Sequence, residues 1–142
     1  MQFTLDVSNE LGETADKLNL AYLALGDLTP LMRDIGRYLE GSTEQRFADK
    51  KAPSGMAWAN LLPDTQKQKG DNNILIDSED LVGSIRSEAD KASVTVGVSE
   101  PYGVYHQLGT KHITARPFLG LSDSDNNEID VLINDYLERI YD

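Results

Sequence analysis

The chain has 142 residues, 39% hydrophobic and 26% charged, a composition that predicts a single folded domain over residues 1–142 rather than a disordered polypeptide. The absence of cysteine excludes disulfides, thiol nucleophiles and cysteine metal sites. The net charge of −11 argues against a surface that binds nucleic acid, and no apolar run approaches the roughly 20 residues of a membrane span.

The N-terminal third predicts a strand followed by two helices. Residues 2–7 alternate apolar and polar side chains, which favours a short strand. Between residues 9 and 25, apolar positions recur at steps of three and four, which predicts a first helix with the stripe Leu11, Ala15, Leu18, Tyr22 and Leu25.

A second, longer helix is predicted to start at Thr29-Pro30, with Thr29 as N-cap and Pro30 as the first helical residue. Its apolar stripe extends the helix to about 20 residues and ends near Phe47. Gly36 and Gly41 lie inside this helix, where close packing against a neighbour and chance explain them equally well.

Residues 48–73 predict a long connection, rich in proline, glycine and lysine around the single Trp58. We expect mobility around residues 66–73. Connections of this length tend to be functional or to order on meeting a partner, which favours a role in assembly.

The second half of the chain predicts two strands at 81–86 and 93–98, joined as an antiparallel hairpin through residues 88–91. A short helix at 102–108 closes at Gly109, and residues 112–121 follow as an extended arm. The C-terminal segment has the strongest helical pattern, with an acidic first turn and the apolar residues Ile129, Leu132, Ile133, Tyr136, Leu137 and Ile140.

Residue types that commonly carry chemistry do not form a known pattern in this chain. His106 and His112 lack zinc spacing, and His106 is better explained as a packed side chain beside Tyr102 and Tyr105. Residues 41–43 lack the frame of a phosphate loop, and residues 123–128 suit a helix cap better than a calcium loop. We therefore expect no catalytic residue, no metal and no cofactor.

Three blocks of residues occur in order along the chain. The first is Arg46-Phe47 with residues 53–61, Pro-Ser-Gly-Met-Ala-Trp-Ala-Asn-Leu. The second is residues 74–85, Ile-Leu-Ile-Asp-Ser-Glu-Asp-Leu-Val-Gly-Ser-Ile, and the third joins residues 105–109, Tyr-His-Gln-Leu-Gly, to residues 115–122, Ala-Arg-Pro-Phe-Leu-Gly-Leu-Ser. Together they resemble the phage virion morphogenesis family, which includes tail completion proteins of contractile-tailed phages and Mu-like prophages. Glu79 and Thr114 depart from that family's usual glycine and proline.

The third block suits docking, because Pro117 stiffens an arm whose Phe118 and Leu119 can fill an apolar socket while Arg116 makes a planar contact. Two alternatives stay open for this arm, an intramolecular brace and a contact with another subunit. The candidate interface residues are Trp58, Tyr102, Tyr105, His106, Arg116, Phe118 and Leu119.

The resemblance implies an α+β subunit, with a small, mainly antiparallel sheet packed on the long central helix and the C-terminal amphipathic helix. It also implies a non-enzymatic protein of tail completion and head-tail joining that forms a ring with itself and contacts tail and neck or connector proteins. A copy number of six rests only on the symmetry of phage tails. We expect assembly in the host cytoplasm, a place in the virion and no membrane partner.

DNA would pass through such a ring without specific binding, since an acidic lining repels phosphates. The alternatives are a head-tail adaptor or tail terminator, a small phage hydrolase or nuclease using His106, and a host regulatory binding domain.

Overall fold

The computed structural model describes residues 2–6, 13–59, 79–100, 103–111 and 114–141. Within these residues the elements are β1 (Gln2–Asp6), α1 (Glu13–Leu25), α2 (Thr29–Asp49), α3 (Glu79–Gly83), β2 (Ile85–Ala89), β3 (Ser93–Val98), α4 (Gly103–Leu108) and α5 (Asp123–Tyr141). None of the described helices is long and apolar enough to cross a membrane.

The strands form one antiparallel sheet in the order β1-β3-β2, and the predicted hairpin between β2 and β3 is confirmed. Val94, Val96 and Val98 of β3 all lie on the buried face, because alternate residues of a strand point to the same side. Helix α2 packs against β2 and β3, and α5 packs against α2 and α1. The predicted α+β class, with a small sheet on a long helix and a C-terminal helix, is confirmed.

The strand predicted at 81–86 begins only at Ile85, and the prediction was wrong for residues 81–84. Residues 79–83 form the one-turn helix α3, and the strand runs from Ile85 to Ala89. The side chain of Leu81 in this helical turn is fully buried. The N–H and hydroxyl of Ser84 donate to the Leu81 carbonyl at 3.1 and 2.8 Å. Short apolar runs do not distinguish a strand from a buried helical turn, which explains the error.

The start of α2 differs by one residue from the prediction of Thr29 as N-cap. Leu28 holds the cap position without a side-chain hydrogen bond, and Thr29 is already helical. Asp27 supplies the missing oxygen, accepting hydrogen bonds from the hydroxyl and N–H of Thr29 at 2.5 and 2.9 Å. These bonds from Thr29 lower the pKa of the Asp27 carboxyl.

The core lies between the sheet, α2 and α5. Ile129 and Ile133 of α5 are fully buried, as the apolar pattern of the C-terminal segment predicts. On α1, Leu18 is buried, whereas Leu25, predicted on the same stripe, is 37% exposed. It is the last helical residue, and the chain turns away at Gly26, whose φ is 74°.

The predicted mobile connection at 48–73 falls partly outside the described residues, which stop at 59 and resume at 79. Its first part is a tight loop, here called the 50–57 loop. Lys51 and Ala57 pair across it as an antiparallel bridge, and the Trp58 N–H donates to the Lys50 carbonyl at 2.7 Å. Trp58 is buried directly behind the loop.

Gly36 lies where α2 crosses the sheet. A Cβ on Gly36 would meet the Ser87 hydroxyl at 2.7 Å and a Val94 methyl at 2.9 Å, closer than atoms can approach. Close packing therefore explains Gly36, whereas a Cβ on Gly41 would meet nothing within 4 Å.

Gly36→Ala should lower the free energy of unfolding by about 1–3 kcal/mol, because the added methyl overpacks the contact between α2 and the sheet. Gly41→Ala is the matched control in the same helix and should raise it by up to about 1 kcal/mol, since alanine is the better helix former. Urea unfolding followed by circular dichroism measures both. Equal effects of the two changes would contradict the packing explanation.

Candidate functional site

The arm at residues 114–121 has no regular secondary structure, yet Arg116, Phe118 and Leu119 are buried. Backbone N–H and C=O groups inside a protein need hydrogen-bond partners, and an irregular segment lacks the regular backbone pairing that supplies them in a helix or sheet. Side chains from three other parts of the chain supply these partners. The arm and these side chains form the candidate site.

Gln107 on α4 holds the middle of the arm. Its Oε1 accepts the N–H groups of Phe118 and Leu119 at 3.0 and 2.9 Å, and its Nε2 donates to the Leu119 carbonyl at 3.0 Å. The N–H of Arg116 donates to the His106 carbonyl at 2.6 Å. The amide side chain of Gln107 thus satisfies three backbone groups of the arm.

Arg46 on α2 also contacts the middle of the arm. Its Nη1 donates to the Phe118 carbonyl at 2.8 Å, and its Nη2 forms an ion pair with Asp125 on α5. Only 7% of the Arg46 side chain and 1% of the Asp125 side chain are exposed. A buried pair of this kind is strongly destabilised when one partner is removed, because the other charge stays buried alone.

Asp125 also closes the N-terminus of α5. The Ser122 hydroxyl accepts the Asp125 N–H at 3.0 Å, and Asp125 accepts the Ser122 N–H at 2.9 Å, which is a reciprocal capping box. The helix-cap interpretation of residues 123–128 is confirmed at Asp125. From α2, the hydroxyls of Ser42 and Tyr38 donate to the same carboxylate at 2.6 and 3.0 Å.

These contacts set the protonation of the site. Burial by itself raises the pKa of Asp125, but the hydrogen bonds from Ser122 and Ser42 and the charge of Arg46 outweigh it, so the pKa lies below the usual 3.8. Burial and the hydrogen bond to Asp125 raise the pKa of Tyr38 to about 12. At neutral pH the carboxylate is charged and the phenol is neutral, as the ion pair requires.

Trp58 contacts the arm at Pro117. Its Nε1 donates to the Pro117 carbonyl at 2.7 Å. The ring of Phe47 lies between those of Trp58 and Phe118, with centroid distances of 5.3 and 5.2 Å, which is a favourable range for aromatic contacts. The guanidinium of Arg116 donates through Nε to the Ala59 carbonyl at 3.0 Å.

The structure brings together four of the candidate interface residues, Trp58, Arg116, Phe118 and Leu119, and buries all of them within the subunit. Their contacts are those of the intramolecular alternative, and the contact with another subunit stays a prediction. Tyr105 is 51% exposed, His106 is half-buried, and Tyr102 lies outside the described residues.

Sequence reasoning missed Arg46, Asp125 and Gln107 as the polar centre of the site. A signal existed for Arg46, which falls on the buried face of α2 one turn after Thr43, where a charge needs a buried partner. The partner could not be chosen from the sequence, since the chain contains 24 acidic residues.

Comparisons with a family model and with curated proteins point to the same phage family. The model of the phage virion morphogenesis family matches residues 6–138 of the chain. The Mu-like prophage FluMu G protein 2 of Haemophilus influenzae is 33% identical over 139 residues, which cover 93% of this chain and 94% of that protein. FluMu G protein 1 of the same organism is 33% identical over 118 residues, covering 76% and 81%. No solved structure matches the chain significantly.

Asp125→Asn should lower the free energy of unfolding at pH 7 by about 3 kcal/mol, because it leaves the buried Arg46 charge without a counter-ion. Asp130→Asn on the same helix is the control. Its ion pair with Lys17, at 3.5 Å, is about 40% exposed on both sides and should contribute less than about 1 kcal/mol. Urea unfolding measures both, and similar losses would contradict the role of the buried pair.

The advantage of the wild type over Asp125→Asn should depend on pH. Because the folded-state pKa of Asp125 lies below the unfolded value of about 3.8, the stabilisation is complete above about pH 4. It should then be lost as the pH falls through the lower folded-state pKa. Unfolding curves of both proteins from pH 7 to pH 2.5 test this. A difference between their free energies of unfolding that already decreases between pH 7 and pH 5 would contradict it.

Proposed function

The chain belongs to the phage virion morphogenesis family, and we propose that within it this protein is a non-enzymatic subunit that completes the tail and joins it to the head. Family membership establishes a part in building the phage particle. The finer role is supported by the resemblance of three blocks to tail completion proteins and by the way the candidate site is used.

The observation that carries the proposal is the arrangement of the strongest polar groups around the arm. Arg46 donates to the main-chain carbonyl of Phe118 as well as to the Asp125 carboxylate. Gln107 bonds to main-chain atoms of Phe118 and Leu119, and Trp58 donates to the Pro117 carbonyl. Groups used in this way fix the shape of an irregular segment. A protein that works through shape and docking needs this rigidity, because a preordered surface loses little conformational entropy on binding.

In the proposed mechanism, copies of the chain contact one another through unlike surfaces and close into a ring at the tail end or neck. Tail and neck or connector proteins are the proposed partners, and the mature location is the virion. The net charge of −11 supports this arrangement, since an acidic lining would let DNA pass without adhering.

A phage or prophage that lacks this gene should accumulate heads and tails that are not joined, or tails that are incomplete, when lysates are viewed by electron microscopy. Expression of the wild-type chain from a plasmid is the control and should restore infectious particles. Complete, infectious virions made without the protein would reject the proposed function.

A further inference from the structure

The 50–57 loop presents an apolar side chain on a fixed backbone. The N–H of Ala52 donates to the Met56 carbonyl at 2.8 Å, and the N–H of Gly55 donates to the Ala52 carbonyl at 2.9 Å. Met56 at this turn is nevertheless 74% exposed. Methionine is enriched at protein interfaces, and a loop already held in one conformation loses little entropy on docking.

Two adjacent lysines, Lys50 and Lys51, lie at the base of this loop in a protein of net charge −11. Lys50 has a φ of 57°, and of the described residues other than glycine it alone has a positive φ. Glycine or asparagine adopts this helix-ending conformation more easily, so a lysine here points to a use for its side chain. Lys51 beside it is exposed, while Asp49 on the other side accepts a hydrogen bond from Gln45.

A second surface has apolar side chains without a cover among the described residues. Every residue of α1 from 18 to 25 except Asn19 is apolar or aromatic, although only one side of the helix packs on the core. Leu20 and Leu23 on the opposite side are 66% and 71% exposed. A helix that is apolar on all sides is normally covered on all sides.

Helix α5 lies beside α1 and has acidic residues on its solvent side. Lys17 of α1 contacts Asp130 of α5 at 3.5 Å, which places the two helices side by side. Val131 next to Asp130 is 48% exposed, and Asp135 and Glu138 follow one and two turns later on the solvent side. We call Leu20, Leu23, Val131, Asp135 and Glu138 the α1–α5 face.

The 50–57 loop and the α1–α5 face lie at different ends of the subunit. The loop follows the C-terminal end of α2, where Arg46 meets Asp125 at the start of α5. Asp135 and Glu138 lie 10 and 13 residues further along α5, or about 15–20 Å at a rise of about 1.5 Å per residue. One copy therefore cannot bring its own loop onto its own face, whereas two copies can.

We propose that the 50–57 loop of one copy docks on the α1–α5 face of the next copy, which rests on the proposed function of a ring-forming subunit. Met56 lies against the exposed leucines and valine, and the two lysines face Asp135 and Glu138. Charge complementarity selects a second copy as the partner. In a chain of net charge −11, most pairs of surfaces repel, and a paired-lysine loop fits an acidic face.

Charge reversal tests this docking. The double variant Lys50→Glu, Lys51→Glu and the double variant Asp135→Lys, Glu138→Lys should each weaken self-association at least about tenfold in dissociation constant, because like charges then face each other. A mixture of the two variants should associate again, since each loop now meets a face of opposite charge in the other protein. Analytical ultracentrifugation over a concentration series measures all of these.

Arg33→Glu with Arg37→Glu is the matched control, since it makes the same change of net charge at exposed positions of α2. It should leave association within about threefold of the wild type, and circular dichroism should show every variant folded. If the wild type associates but the mixture does not, or if the control is as weak as the loop variant, the docking is overturned and the ring proposal stands. A wild type that stays monomeric at every concentration overturns both.

Discussion

The buried ion pair between Arg46 and Asp125 connects three parts of the fold. Arg46 reaches from α2 to the Phe118 carbonyl and the Asp125 carboxylate, and so joins the long helix, the arm and the C-terminal helix at one point. Its charge is out of water and needs both acceptors, because a buried guanidinium without them is strongly destabilising. The same carboxylate caps α5 through Ser122, so the position of that helix and the arginine contact depend on each other.

The arm follows from this constraint. A segment without helix or strand becomes buried only when other groups satisfy its backbone, and here Gln107, Arg46 and Trp58 do so. Within the subunit, the contacts of the arm form an internal brace, and a contact of the same arm with another subunit stays a prediction. The two exposed surfaces proposed for docking, the 50–57 loop and the α1–α5 face, lie on other parts of the chain.

The 50–57 loop and the outer side of α1 are both connected to these interior contacts. Trp58 connects the 50–57 loop to the brace. Its backbone N–H donates to the Lys50 carbonyl, and its ring packs on Phe47. The apolar outer side of α1 lies beside α5, whose start is fixed by Asp125. The same interior contacts connect the 50–57 loop at one end with the α1–α5 face at the other, as the proposed docking between copies requires.

Apolar periodicity in the sequence by itself determined the helices α1, α2 and α5 and the alternation of Val94, Val96 and Val98, because it is a local property that the core face of each element imposes. The α+β class was implied by the resemblance of the three blocks to a known family. The sequence also identified Trp58, Arg116 and Phe118 as candidate site residues. Only the tertiary structure decided that residues 79–83 are helical, that Gly36 but not Gly41 is needed for packing, and that Arg46 pairs with Asp125, 79 residues away. A polar side chain finds its partner through the path of the whole backbone, and no local pattern records that path.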